Sequence, residues 1–302
     1  MTHYQLVAQN KYKSFGIVLG FIVFVVAAAY FMAQGLGYSL DVVGMALIFS
    51  GLTSFGSYYF SDKIILGLSG AREATRTEFF DFYTVTENIC HGQKMPLPKL
   101  YVIDDTAMNA FATGRDPEHA VVCATTGLLN RLSRAEIEGV VSHELSHVKN
   151  YDIRLMSLVT VLVGLLALLS DWLLRMTSWG RGRRRDNRES NQIQLILFAV
   201  GLILALLSPL IAQLIKLAIS RKREFLADAS GVAMTKNPQG LINALIKLDQ
   251  DKEPLEVANK ATAHLYIANP LKNAKGSIRL FANLFATHPP IEERVKALQK
   301  IA

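Results

Sequence analysis

The chain has 302 residues, of which 51% are hydrophobic, and it carries a formal net charge of +7. Its mean hydropathy of +0.25 is high for a purely soluble protein. The apolar residues lie in blocks, which indicates membrane segments more than an oversized core. Basic residues crowd the ends of these blocks without an aromatic-basic RNA signature, so a lipid surface is expected as a partner and nucleic acid is not.

Four apolar segments are long enough to cross a bilayer, at about 14–33, 38–60, 153–174 and 192–220. A short link joins the first two, which are expected to form an uncleaved transmembrane hairpin. The third and fourth are expected either to span the membrane or to enter it and return, with buried helices of a soluble domain as the alternative. The arginine-rich loop at 175–191 is unusual for an exported loop and leaves this choice open.

The basic residues that flank the apolar segments predict the orientation of the chain. They lie mostly on the side that carries the N-terminus and both soluble stretches, and that side is therefore expected to be cytoplasmic. The basic residues near the membrane on that side are Lys11, Lys13, Lys63, Arg72, Arg76, Lys149, Arg154, Arg221, Lys222 and Arg223.

The soluble stretch at about 61–152 has a pattern that mixes helix and strand. A helix is predicted at 71–90, strands at 99–103 and 119–123, and a second helix at 125–132. Ser133 followed by Glu136 is a capping-box pattern, so a third helix is predicted from there through His147. The second soluble stretch, at about 221–302, is predicted to be mainly helical.

His143, Glu144 and His147 form an H-E-x-x-H pattern within the third helix. Histidines four residues apart lie on one helical face and can bind one zinc ion, which activates water while the carboxylate takes its proton. Glu144 is therefore predicted to be the general base. The alternative, a helix with two solvent-facing histidines, is disfavoured because apolar residues surround the pattern and burial of idle polar groups is costly.

Catalytic zinc takes three protein ligands, so a third must be found elsewhere in the chain. The next histidine after His147 is His264, which is too far along the chain to complete a short H-E-x-x-H-x-x-G-x-x-H motif. Glu224 and Asp228 lie one helical turn apart just after the fourth apolar segment. Glu224 is predicted as the third ligand, and Asp228 as the hydrogen-bond partner of a ligand histidine, His143 being favoured. An ordinary exposed acidic pair is the alternative.

With these motifs, the chain resembles the HtpX-type membrane metalloproteases, gluzincins related to the CAAX prenyl proteases. The resemblance runs from about Lys99 to Arg294. Its signs are the H-E-x-x-H residues with Asn150 and Asp152, together with the sequences at 109–114, 126–129, 224–228 and 287–290, and Arg294.

The resemblance implies an α+β, mainly helical fold in which a gluzincin-like metalloprotease domain is fused to transmembrane helices. The expected organisation is a hairpin at 1–60, a first catalytic part at 61–152, two further apolar helices at 153–220 and a second catalytic part at 221–302. The expected enzyme binds one Zn²⁺ per chain and degrades misfolded membrane proteins under stress. Its expected location is the bacterial inner membrane, as a multi-pass protein with a cytoplasmic active site.

The resemblance also suggests roles for residues outside the zinc site. Asn109, Ala110 and Phe111 would belong to an edge strand that pairs with an extended substrate. His288 or Arg294 would stabilise the oxyanion, with His264 as a rival donor. A prenyl-protein protease and a non-catalytic membrane scaffold or transporter are the alternative functions, and the oligomeric state is left open.

Overall fold

A computed structural model describes residues 3–36, 39, 41–162, 164–165, 221–257, 262–270 and 289–301. The described residues are mainly helical with one sheet, which confirms the predicted α+β class. The elements in chain order are α1 (His3–Leu36), α2 (Asp41–Leu68), β1 (Arg72–Glu73), α3 (Phe80–Gln93), β2 (Lys99–Ile103), β3 (Ala110–Gly114), β4 (Ala120–Thr125), α4 (Thr126–Arg131), α5 (Arg134–Lys149), α6 (152–162), α7 (Arg221–Thr235), α8 (Pro238–Gln250) and α9 (Ile291–Gln299). The fourth apolar segment, the arginine-rich loop and the last part of the third apolar segment, 166–174, lie outside the described residues.

Helices α1 and α2 pack against each other, and both contain a stretch long and apolar enough to cross a membrane, at Val7–Phe31 and Asp41–Leu68. The distribution of side chains on α2 is the reverse of that on a soluble helix. Its buried face carries a seam of small polar residues, whereas phenylalanine and leucine point outward. The seam consists of Ser50, Ser54, Ser57 and Ser61, and the outward residues include Phe49, Leu52, Phe55 and Phe60. Small residues between helices and large apolar residues outside are typical of packing within lipid.

The sheet has the strand order β1-β2-β4-β3 among the described residues. Strands β2 and β4 are parallel, and the two outer strands are antiparallel to their neighbours. Alternate side chains point to opposite faces, so Ala110 and Ala112 face the core around α5 while Phe111 faces α2 and α6. Because helices cover both faces, every residue of β3 and β4 is buried, which is why these strands read as apolar runs.

Helix α5 packs against α3, α7, α8 and the sheet, and so lies at the centre of the described residues that follow α2. It begins after Ser133, whose backbone N–H donates to Glu136 Oε2 at 2.7 Å, as the capping-box pattern predicts. The predicted strand at 99–103 is confirmed by β2. The predicted helix at 71–90 is wrong at its start, because Arg72 and Glu73 pair with β2 and the helix begins only at Phe80.

Gly139 lets α5 approach the start of α8 more closely than any other residue would. A Cβ at this position would lie 2.5 Å from the backbone nitrogen of Leu241. We expect Gly139→Ala to lower the free energy of unfolding by about 1–3 kcal/mol through overpacking, measured by denaturation of the detergent-solubilised chain.

Gly92, near the exposed end of α3, is a matched control. A Cβ there meets nothing within 4 Å, so Gly92→Ala should leave stability unchanged or raise it by up to about 1 kcal/mol. Equal losses for the two variants would contradict the close approach of α5 and α8.

Candidate metal centre

One turn of α5 brings the two histidines of the H-E-x-x-H pattern together. The Nε2 atoms of His143 and His147 are 3.3 Å apart, and their rings are perpendicular. Both side chains are buried, as is Glu144 between them. The histidines therefore do not face solvent, and this excludes the alternative of two idle surface histidines.

Helix α7 adds a carboxylate to this pair. Glu224 Oε2 lies 3.7 Å from His143 Nε2, and Glu224 Oε1 lies 3.5 Å from His147 Nε2. One ligand atom from each of the three residues lies within 4.8 Å of the others, so the set can hold a metal ion. Gly231, two turns further along α7, permits this arrangement because a Cβ there would lie 3.0 Å from the backbone nitrogen of His143.

His143 is held from behind by a buried ion pair. Its Nδ1 atom lies 2.9 Å from Asp228 Oδ1, which leaves Nε2 to face Glu224 and His147. Arg294 binds the same carboxylate with two nitrogens, Nε at 2.9 Å and Nη2 at 2.6 Å. Asp228 thus contacts His143 as predicted, and Arg294 binds the same Asp228 carboxylate.

His147 is held by a second buried carboxylate, that of Asp152, which the resemblance marked without giving it a partner. Tyr151 adopts a left-handed conformation with φ of 59°, and this turn after α5 directs Asp152 back toward the helix. Asp152 Oδ2 lies 3.1 Å from His147 Nδ1. Its other oxygen, Oδ1, accepts from Asn10 Nδ2 at 2.7 Å and from Arg223 Nη1 at 3.2 Å.

Asn10 was not expected at the site, and Arg223 was expected only to influence the topology of the chain. Arg223 directly precedes Glu224, so its position in the sequence could have indicated that it lies near the site. Asn10 precedes an apolar segment and is 142 positions from Asp152, and no local pattern marks such a contact.

The negative groups of the site change the ionisation of its buried residues. Burial by itself lowers the pKa of His147, but the hydrogen bond to Asp152 and the charges of Glu224, Asp152 and Glu144 raise it to about 9. Burial by itself raises the pKa of Asp228, but the charge and hydrogen bonds of Arg294 hold that pKa well below its usual range. Without a metal ion, His147 is therefore protonated and Asp228 is ionised near neutral pH.

The residues predicted to stabilise an oxyanion are placed differently from one another. Arg294 is fully buried, and its nitrogens contact Asp228, the carbonyl oxygen of Ile267 and the ring of His143. His264 lies away from these contacts, with Nε2 2.9 Å from Thr160 Oγ1. His288 lies outside the described residues. Oxyanion stabilisation by any of the three stays a prediction, and the contacts of Arg294 favour a role in holding Asp228.

The predicted substrate-binding strand lies at the edge of the sheet, but this edge is covered. The carbonyl oxygen of Ala110 accepts from the backbone N–H of Ile267 at 2.9 Å, and Asn109 Nδ2 donates to the carbonyl oxygen of Ala268 at 3.0 Å. Phe111 packs edge-on against Tyr266. Pairing of a substrate at Asn109, Ala110 and Phe111 stays a prediction and requires residues 266–268 to move.

Comparison with known proteins identifies the family of this site. Residues 81–302 match the family described as Peptidase family M48. The chain belongs to this peptidase family. A Protease HtpX homolog of Thermoanaerobacter pseudethanolicus is 41% identical, covering 99% of this chain and 98% of that protein. A Protease HtpX homolog of Dictyoglomus thermophilum is 43% identical, covering 99% of this chain and 94% of that protein.

A crystal structure of S. mikatae Ste24p is also similar, at 19% identity and a TM-score of 0.48, covering 98% of this chain and 67% of that one.

The resemblance to HtpX-type metalloproteases is confirmed by the full-length relatives. The chain is a metalloprotease and therefore a hydrolase, which excludes the non-catalytic scaffold and the transporter. Its homologues, together with the two apolar helices, indicate a membrane protein.

We expect Arg294→Met to lower the free energy of unfolding by about 3–5 kcal/mol, because it leaves the buried Asp228 carboxylate without its cation. The side chains of this pair are 0% and 3% exposed. Chemical denaturation of the metal-free chain in detergent measures the change.

Arg134→Met is the matched control for this prediction. The Arg134–Asp81 pair has the same 2.6 Å separation, but its side chains are 44% and 51% exposed. Water screens an exposed pair, so the loss should be below about 1 kcal/mol. A loss at Arg294 no larger than that at Arg134 would refute the ionised pair.

The metal affinity should depend on pH because the ion and a proton compete for His147. Below its pKa of about 9, a proton must leave the imidazole before the ring can bind the ion. The dissociation constant should therefore fall by about tenfold for each unit of pH rise between about 6 and about 8. Competition with a chelator of known proton affinity measures it, and a pH-independent constant would show that His147 is neutral in the metal-free chain.

Proposed function

We propose that the chain is an integral-membrane zinc endopeptidase that cleaves misfolded or damaged membrane proteins. The observation that carries this proposal is the spacing of the donor atoms of His143, His147 and Glu224, with Glu144 buried beside them. Zinc–ligand distances of about 2.0–2.2 Å in a tetrahedron separate neighbouring donors by about 3.3–3.6 Å. The Nε2 atoms of His143 and His147 are 3.3 Å apart, and the two oxygens of Glu224 lie 3.5 Å from His147 Nε2 and 3.7 Å from His143 Nε2. Three protein ligands leave a fourth position open for catalysis.

His143, His147 and Glu224 are the proposed ligands of one Zn²⁺ per chain. Two imidazoles and a carboxylate are a ligand set that zinc enzymes use. When bound, zinc increases the acidity of water and polarises the carbonyl oxygen of the scissile peptide bond.

Glu144 is the proposed general base. Its carboxylate takes a proton from the water whose oxygen attacks the peptide carbonyl carbon. It then gives that proton to the amide nitrogen as the carbon–nitrogen bond breaks, so that a carboxylic acid and an amine are released, and proton transfer between them gives a carboxylate and an ammonium group. Its position one residue after His143, on the same buried turn of α5, keeps the carboxylate beside the metal ligands.

Asp228 and Asp152 are proposed to position the two histidines. Each accepts a hydrogen bond from Nδ1–H of one ring, which fixes the tautomer that offers Nε2 to the ion. Arg294 and Arg223 balance the charges of these carboxylates, so that the site keeps its shape before the ion arrives.

The membrane supplies the proposed class of substrate. The ends of the two apolar helices contact the catalytic part, since Asn10 of α1 bonds to Asp152 and the carbonyl oxygen of Tyr59 of α2 accepts from Arg115. A metal centre beside these ends is close to the bilayer surface, where a damaged membrane protein can reach it. The flanking charges favour a cytoplasmic active site. The family resemblance favours a multi-pass chain in the bacterial inner membrane, and proteolytic quality control under stress is the proposed role.

The proposal predicts different defects for the base and for a ligand. Glu144→Gln should lower the rate of peptide-bond cleavage by at least about 100-fold while zinc stays bound. Glu224→Ala should lose both zinc and cleavage, because only two protein ligands remain. Zinc content by elemental analysis and cleavage of casein by the chain in detergent measure these effects.

A substrate with an unfolded membrane segment, reconstituted with the chain in the same vesicles, tests the substrate class. Its folded counterpart is the control and should be cut more slowly. Equal casein cleavage by the wild type and Glu144→Gln would refute the mechanism, whereas equal cleavage of the folded and unfolded membrane substrates would refute only the substrate class.

A further inference from the structure

Asn10 is a polar residue in an unusual place. It lies in α1, whose 34 residues span about 51 Å at 1.5 Å per residue. A bilayer core is only about 30 Å thick, so part of this helix must project beyond it. Asn10 lies near the N-terminal end with Lys11 and Lys13, yet it is only 1% exposed. One face of the projecting end of α1 therefore packs against the part of the chain that carries the proposed metal ligands.

The side chain of Asn10 uses all of its polar atoms on residues next to the metal ligands. Its Nδ2 atom donates to Asp152 Oδ1 at 2.7 Å and to the carbonyl oxygen of Asn150 at 2.9 Å. Its Oδ1 atom accepts from Arg223 Nη1 at 2.9 Å. Asp152 bonds to the ligand His147, and Arg223 precedes the ligand Glu224, so Asn10 joins the surroundings of two ligands from different helices.

These contacts control the orientation of one carboxylate. Asp152 points Oδ2 at His147 and keeps Oδ1 for Asn10 and Arg223. Removing the Asn10 amide takes away the shorter of the two bonds to Oδ1. The carboxylate can then rotate toward Arg223, and the hydrogen bond that orients the His147 ring weakens.

We propose that Asn10 is a positioning residue of the metal centre, through which α1 sets the affinity for the metal ion by holding Asp152 against His147. This proposal rests on the metal ligands assigned above. Asn10 contacts neither the ion nor the substrate, and it acts through Asp152 alone. The first apolar helix is thus part of the catalytic apparatus as well as an anchor.

Zinc affinity of the full chain in detergent, measured by competition with a chromophoric chelator, tests the proposal. Asn10→Ala should raise the dissociation constant by about tenfold, the lower end of the effect of losing an outer partner of a metal ligand. Asn10→Asp keeps the acceptor for Arg223 and the size of the side chain but loses the donor to Asp152, so it should raise the constant at least as much. This second variant covers the case in which Asn10→Ala does not fold.

Ser14→Ala is the matched control. Ser14 is buried one turn further along α1, and its hydroxyl donates at 2.8 Å to the backbone carbonyl of Asn10. The control removes a buried polar group from the same helix without touching Asp152, and zinc affinity should stay within about twofold of the wild type. Thermal unfolding of the metal-free variants confirms that each is folded.

A double-mutant cycle separates positioning from simple docking of α1. If Asn10 acts through Asp152, then Asn10→Ala should change zinc affinity by less than about twofold in an Asp152→Ala background. Additive losses in the cycle, or the same loss in Ser14→Ala, would overturn the proposal. Wild-type chain that binds no zinc would instead refute the proposed ligands, so the two failures are distinguishable.

Discussion

The metal centre depends on a repeated arrangement of buried charge. Each histidine of the candidate site is backed by a carboxylate, and each carboxylate is backed by an arginine: Asp228 with Arg294, and Asp152 with Arg223. A buried carboxylate without a cation would be costly and would tend to take up a proton. The arginines supply the opposing charge, and the carboxylates hold the imidazoles in the orientation that leaves Nε2 toward Glu224.

This arrangement also determines which elements must come together. Helix α5 supplies the histidines, α7 supplies Glu224, Asp228 and Arg223, and α9 supplies Arg294. Small residues at the contacts make this density of side chains tolerable, since Gly231 and Gly139 remove the Cβ atoms that would separate α5 from α7 and α8. The catalytic part is thus assembled from both sides of the long segment at 166–220.

Local features of the chain were predictable because their cause is local. The spacing of His143 and His147 and the capping pattern at Ser133 are properties of a few consecutive residues, and the structure has them as expected. Glu224 could be predicted only by combining two facts. Catalytic zinc needs a third protein ligand, and Glu224 lies one helical turn before Asp228. The strand at Arg72 was missed because two residues have no periodicity, and their pairing with β2 decides their conformation. Asn10 was missed because its partners are distant in sequence.

The covered edge of β3 has a consequence for association between chains. An open edge strand is a template for pairing with any extended polypeptide, and it promotes aggregation. In this chain Ile267 takes the carbonyl oxygen of Ala110, and Ser157 Oγ accepts from the N–H of Gly114 at 3.1 Å. Because outward main-chain groups alternate along a strand, Ala112 is the one residue between these two contacts that can offer them, and one residue is too short to nucleate a strand. The contacts at Ala110 and Gly114 therefore make β3 a poor template for pairing with a second polypeptide.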